Sequence, residues 1–94
     1  MAIHTLADVT VATTKAALAA TSTKANWILL QGVTVASAAI RIGDTNVTTT
    51  RGAQLTATGS IIFPPAGNAN VYDLSEIFSV GTSNDKFSVI YSTV

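Results

Sequence analysis

The chain has no cysteine, one histidine, two prolines and ten charged residues among its 94. Without cysteine, neither a disulfide framework nor a thiolate metal site can stabilise it. With one histidine, a Ser-His-Asp triad would have to use His4, in the amino-terminal stretch. A general base must be held by an orienting group, and His4 reads instead as an incidental arm residue. Five basic residues balance five acidic ones, and no window gathers the Lys/Arg cluster of a nucleic-acid footprint. Nucleic acid is therefore not an expected partner. No run reaches the roughly 18 apolar residues that a membrane helix requires. Met1 to Asp8 also lacks the basic start and apolar stretch of a secretory signal, so synthesis in the cytoplasm is expected.

What is present is apolar: 48% of residues are hydrophobic and only 11% charged. One domain of this length buries roughly two thirds of the surface its unfolded chain exposes. A near-neutral, poorly charged surface favours association. Oligomerisation is the usual supplement for so small a core.

The stretch Ala25 to Gly43 organises the rest. Trp27, Ile28, Leu29, Leu30 and Val33 make a short run apolar on both faces, as in a strand covered from two sides. Ala38, Ile40 and Ile42 then alternate with Ala39, Arg41 and Gly43, the pattern of a half-buried strand lying beside the first. Before them, Met1 to Asp8 reads as an extended arm leading into a first strand. Lys15 to Ala20 contains helix formers that Thr13 or Thr14 could cap. It is too short for an independent helix, and a short strand is preferred.

After Gly43, Asp44-Thr45-Asn46 is turn chemistry, Val47 to Thr50 is a β-branched strand, and Gly52 is a positive-φ position. Leu55 is a lone apolar anchor. Ser60 to Phe63 is a strand stopped by Pro64-Pro65, and Ala66 to Asn70 is an exposed loop. Asp73 and Glu76 stand at capping-box spacing for one helical turn. Phe78 to Val80 and Lys86 to Tyr91 read as a closing hairpin around Gly81 to Asp85. The expectation is all-β: a small antiparallel β-sandwich or jelly roll of seven to eight short strands, with residues 1–8 as arm and 9–94 as a single domain.

Chemistry-bearing residues are sparse. Asp44 and Asn46 imitate the start of a calcium loop, but the later glycine and glutamate are missing; a plain turn is expected. Asp73 and Glu76 read as a cap rather than a glycosidase pair. Asn46-Val47-Thr48 fits a glycosylation sequon, which is discounted without a signal peptide. No catalytic set, cofactor site or metal site is expected, and the chain is not expected to be an enzyme. Among the aromatic residues, Tyr72 beside the Pro-Gly-Asn loop is the best candidate for exposure and for sugar stacking. Arg41 and Arg51 are either solvated or partner anchors. A surface ion pair from Arg41 to Asp44 would contribute about 0–1 kcal/mol.

The order Trp-Ile-Leu-Leu, Ala-Ile-Arg-Ile-Gly-Asp, Val-Thr-Thr-Thr-Arg-Gly-Ala-Gln-Leu, Asp-Leu-Ser and Phe-Ser-Val-Ile-Tyr, over about residues 9 to 92, resembles small β-sandwich virion proteins of tailed bacteriophages. The likeness is above all to capsid decoration, or cement, proteins. The resemblance implies a protein made in the host bacterial cytoplasm that sits on the outer face of the virion capsid. It implies a homotrimer that bridges neighbouring subunits of the major capsid protein, with Met1 to Asp8 as an arm on the shell. Ile3, His4, Leu6, Arg41, Arg51 and Tyr72 are the candidate interface residues. The alternative is a fibre, tail or baseplate domain that binds host-surface glycan through Tyr72 and neighbouring polar loops.

Overall fold

The computed structural model describes residues 2–35 and 39–94. Among them are eleven strands, Ala2–Thr5 (β1), Val9–Thr10 (β2), Ala16–Ala17 (β3), Lys24–Ala25 (β4), Trp27–Thr34 (β5), Ile40–Gly43 (β6), Ala53–Leu55 (β7), Ser60–Phe63 (β8), Tyr72–Asp73 (β9), Phe78–Val80 (β10) and Lys86–Thr93 (β11), with one 3-10 turn at Leu74–Glu76. Every pairing between these strands is antiparallel. The all-β expectation holds, and the strand number exceeds seven or eight because β2, β3, β4 and β9 are two-residue pieces. Ala38, expected on the apolar face with Ile40 and Ile42, lies outside the described residues.

The larger sheet runs β1-β11-β5-β8, with β2 also on β11; the smaller runs β3-β10-β6-β7, and β4 pairs with β9. Two expectations about pairing are corrected here. Strands β5 and β6 are not neighbours: each is an inner strand of its own sheet. Nor do β10 and β11 form a hairpin, because the chain changes sheets between them. Backbone bonding explains the crossover. Val11 donates to Asp85 O at 2.7 Å, Asn84 donates to Val11 O at 3.2 Å, and Gly81 donates to Ala12 O at 3.1 Å. Residues 81–85 thus spend these groups on Val11 and Ala12, and Asn84 makes the bend at φ 75°.

The two sheets bury their facing sides against each other. From the larger sheet, Ile28 and Leu30 of β5 and Phe87 and Val89 of β11 are fully enclosed, and Ile40 and Ile42 of β6 meet them from the smaller. Leu55, Leu74, Val11, Leu18 and Ile77 complete the cluster. Each such side chain contributes roughly 1.5–3 kcal/mol on burial. Leu55 is the anchor its isolation suggested, at 0% exposure.

The segment Val47 to Thr50 is not a strand. Thr48 and Arg51 exchange backbone hydrogen bonds of 3.0 and 3.1 Å around Thr49-Thr50, so the β-branched run closes a tight turn. That turn delivers Val47, which is buried, onto Gly43 and Gly52. A β-carbon at Gly43 would come within 3.2 Å of Val47, and one at Gly52 within 2.8 Å. Gly52 has the expected positive φ, 126°. Ala16–Ala17 pairs with Phe78–Ser79 as the strand reading expects, and Ser60–Phe63 ends at the two prolines.

Candidate functional site

Asp73 is the densest polar centre and its role is structural. It caps the 3-10 turn by accepting from Ser75 N at 3.0 Å and Ser75 Oγ at 2.7 Å. It also accepts from Ser22 Oγ at 2.7 Å and Thr23 N at 3.0 Å, and Lys24 Nζ stands 3.5 Å away. These donors, led by the Ser22 hydroxyl and the Thr23 amide, hold its carboxyl far below the usual carboxylate range. A carboxylate saturated in this way neither donates nor receives protons near neutrality. Asp44 likewise closes a turn, accepting from Asn46 N at 2.9 Å. Among the described residues no group of three His, Cys, Asp or Glu could hold a metal ion, and no helix is long and apolar enough to cross a membrane.

The six expected interface residues do not converge on one surface. The arm segment Ala2–Thr5 is extended, and it is docked as an edge strand, register Ala2–Thr93 to Thr5–Ile90. Alternation sends Ile3 and His4 to opposite faces of that strand. His4 stacks on Tyr91, centroids 4.9 Å apart. Leu6 is half-buried against the core, its amide bonded to Val89 O at 3.1 Å. Arg41 is half-buried on the smaller sheet and donates to Gly52 O at 2.9 Å. Arg51 is exposed in the tight turn. Tyr72 is half-buried, edge-on to Phe63 at 5.4 Å, and its hydroxyl donates to Pro64 O at 2.9 Å.

Ile3 alone of the six borders a larger feature, which comes from β5. The expectation that β5 is covered on both faces is corrected: Ile28 and Leu30 are buried, whereas Trp27 and Leu29 on the other side are only partly buried. No described element lies over that outer side. Strand alternation and register place three rows across it. Ile3, Ser92 and Trp27 form the first; Thr5, Ile90, Leu29 and Ile62 the second; Ser88, Gln31 and Ser60 the third. Ile3 is 71% exposed and Ile62 57%. None of the three rows contains a charged residue, and their apolar members are contiguous across four strands.

A cavity of about 240 Å³ indents the first row, lined by Ile3, Trp27, Pro65 and Ser92. Its origin is a size mismatch. Ser92 on β11 is small, and its cross-strand neighbours, Ile3 on β1 and Trp27 on β5, are large. Pro65 continues from the stop of β8. Sequence reasoning missed Leu29, Ile62 and Ile90 on the outer side of the sheet, and Ser92 buried beneath the hollow. The one available signal is the apolar character of both faces of β5, which fits burial and an open apolar face alike.

Comparison with protein-family models, curated proteins and solved structures finds no match.

Proposed function

We propose that this chain is a non-enzymatic structural protein of a phage virion, one that decorates the outside of the mature capsid and bridges neighbouring subunits of the major capsid protein. The observation that carries the reading is the charge-free apolar patch that Ile3, Trp27, Ile90, Leu29 and Ile62 make on the outer side of the larger sheet. An open sheet face of this kind, with Ile3 and Ile62 exposed, is the sort of patch that marks a protein–protein contact. Four strands about 4.8 Å apart and a longest strand of eight residues bound the face at roughly 500 Å². That is below the ~800 Å² per partner of a standard stable interface. One face alone therefore supports weak attachment. A homotrimer engaging a repeating lattice at several points would turn such weak contacts into durable coverage. Binding only the assembled shell would stabilise it by mass action. The resemblance in strand and turn order to phage decoration proteins supports the same reading.

The alternative, a glycan-binding fibre domain, relied on Tyr72, whose ring and hydroxyl are both engaged within the chain. The deciding experiment is the copy number of this protein in purified virions, relative to the major capsid protein, by quantitative mass spectrometry. About one copy per capsid subunit is the expected result. A handful per particle would move the protein to a tail or fibre, and absence would end the virion reading.

A further inference from the structure

We propose that the hollow between Ile3, Trp27 and Pro65 is a socket for a single tyrosine side chain presented by a partner polypeptide, with the Ser92 hydroxyl as the group that recognises the phenol. At about 240 Å³ the hollow is smaller than the ~300–1,000 Å³ of drug-sized ligand sites, so it suits one side chain. Three of its four lining residues are apolar and none is charged, which disfavours a charged occupant. At its base, Ser92 is 1% exposed and its Oγ has no hydrogen-bond partner. A buried hydroxyl left unpaired is costly, and a ligand that meets it removes that cost.

The required occupant thus has a neutral apolar body and a polar tip that can pair with a hydroxyl. Among amino-acid side chains tyrosine meets this description. Phenylalanine lacks the tip, and tryptophan carries its N–H on the side of the ring and can only donate. An aromatic ring beside Trp27 also gains from edge or offset stacking. The occupant belongs to a polypeptide because the apolar row of Ile90, Leu29 and Ile62 adjoins the hollow, and a small free phenol would leave that row uncovered. A second copy of this chain is not the donor. Its two tyrosines are already committed, Tyr72 to Pro64 and Phe63, Tyr91 to His4. The inference stands independently of the virion reading.

Trp27 is the single tryptophan, so its indole N–H gives one assignable signal in a ¹H–¹⁵N spectrum. The full chain is titrated with N-acetyl-tyrosinamide and, separately, N-acetyl-phenylalaninamide, each to its solubility limit. The tyrosine amide shifts the indole signal and binds about three- to tenfold more tightly than the phenylalanine amide, the preference expected of one net hydrogen bond. Ser92→Ala erases that preference while leaving phenylalanine-amide binding unchanged. It also leaves the melting temperature equal or higher, since it removes an unpaired buried group. Ile3→Ser, at an exposed edge position, weakens both ligands. An unmoved indole signal, equal affinities in the unaltered chain, or a preference that survives Ser92→Ala would each overturn the proposal.

Discussion

Ser22 and Asp73 stand 51 positions apart in sequence and share a 2.7 Å hydrogen bond. Through it, and through the neighbouring Thr23 and Lys24 contacts, one carboxylate ties the segment before β5 to the 3-10 turn. Because these donors depress the carboxyl in the folded state, its stabilisation is fully present above the unfolded value of about 4 and is lost as pH falls through and below it. Thermal melts between about pH 7 and pH 2 are expected to show Asp73→Asn less stable than the unaltered chain at the upper end, with the gap narrowing towards the lower. A gap that stays constant would mean that Asp73 does not carry this linkage.

Two glycines, Gly32 within β5 and Gly67 in the loop 66–70, should differ in what a side chain costs. A β-carbon at Gly32 would lie 2.2 Å from the backbone oxygen of Thr56, whereas at Gly67 nothing lies within 4 Å and only φ of 69° opposes substitution. Gly32→Ala is expected to cost at least the ~1–3 kcal/mol of overpacking. Gly67→Ala should cost about 1–2 kcal/mol, from backbone conformation alone. Urea denaturation of both variants would rank them, and a Gly67→Ala loss larger than that of Gly32→Ala contradicts the assignment.

Asn26 is 1% exposed and its Nδ2 donates to Gly67 O at 3.0 Å and Ala69 O at 2.6 Å. The loop 66–70 is thus held from beneath by the Asn26 amide, while Asn70 Oδ1 accepts from Val94 N at 2.9 Å. Asn26→Ala should destabilise the fold by about 1–3 kcal/mol through unpaired carbonyls and should speed amide exchange at residues 67–71. Unchanged exchange there would show that the loop is held by other contacts.

The two sides of the larger sheet should separate stability from attachment. Leu30→Ala, at 0% exposure, should cost about 2–5 kcal/mol. Ile62→Ser, on the outer side, should stay within about 0.5 kcal/mol of the parent in chemical denaturation and, under the proposed capsid role, lower occupancy on purified virions. Full occupancy by the Ile62→Ser protein would remove the outer face from the attachment surface.

Local chemistry was legible in the sequence where it is decided locally. The two prolines stop β8, Gly52 takes positive φ, Asp73 caps a turn and Leu55 is buried, each for a reason contained within a few residues. The Val47–Thr50 run misled because β-branching favours a pleated surface without distinguishing a strand from the arms of a tight turn. Sheet membership of β5, β6, β10 and β11 was not legible, since alternation fixes which side of a strand is apolar and not which strand lies beside it. The Ser92 hollow exists only because β1 and β5 flank β11 with larger residues. That neighbourhood joins opposite ends of the chain.

Strand β11 carries β1, β2 and β5, yet in order of synthesis it follows all of them. At the ~5–20 residues per second of translation, β1 spends several seconds as a finished but partnerless strand before its template exists. Of the larger sheet, only the β5–β8 pair can therefore form before the end of the chain emerges. During that interval β5 can pair with β8 and meet β6, but its other edge and the side chains that Phe87 and Val89 will flank stay open until the end of the chain arrives.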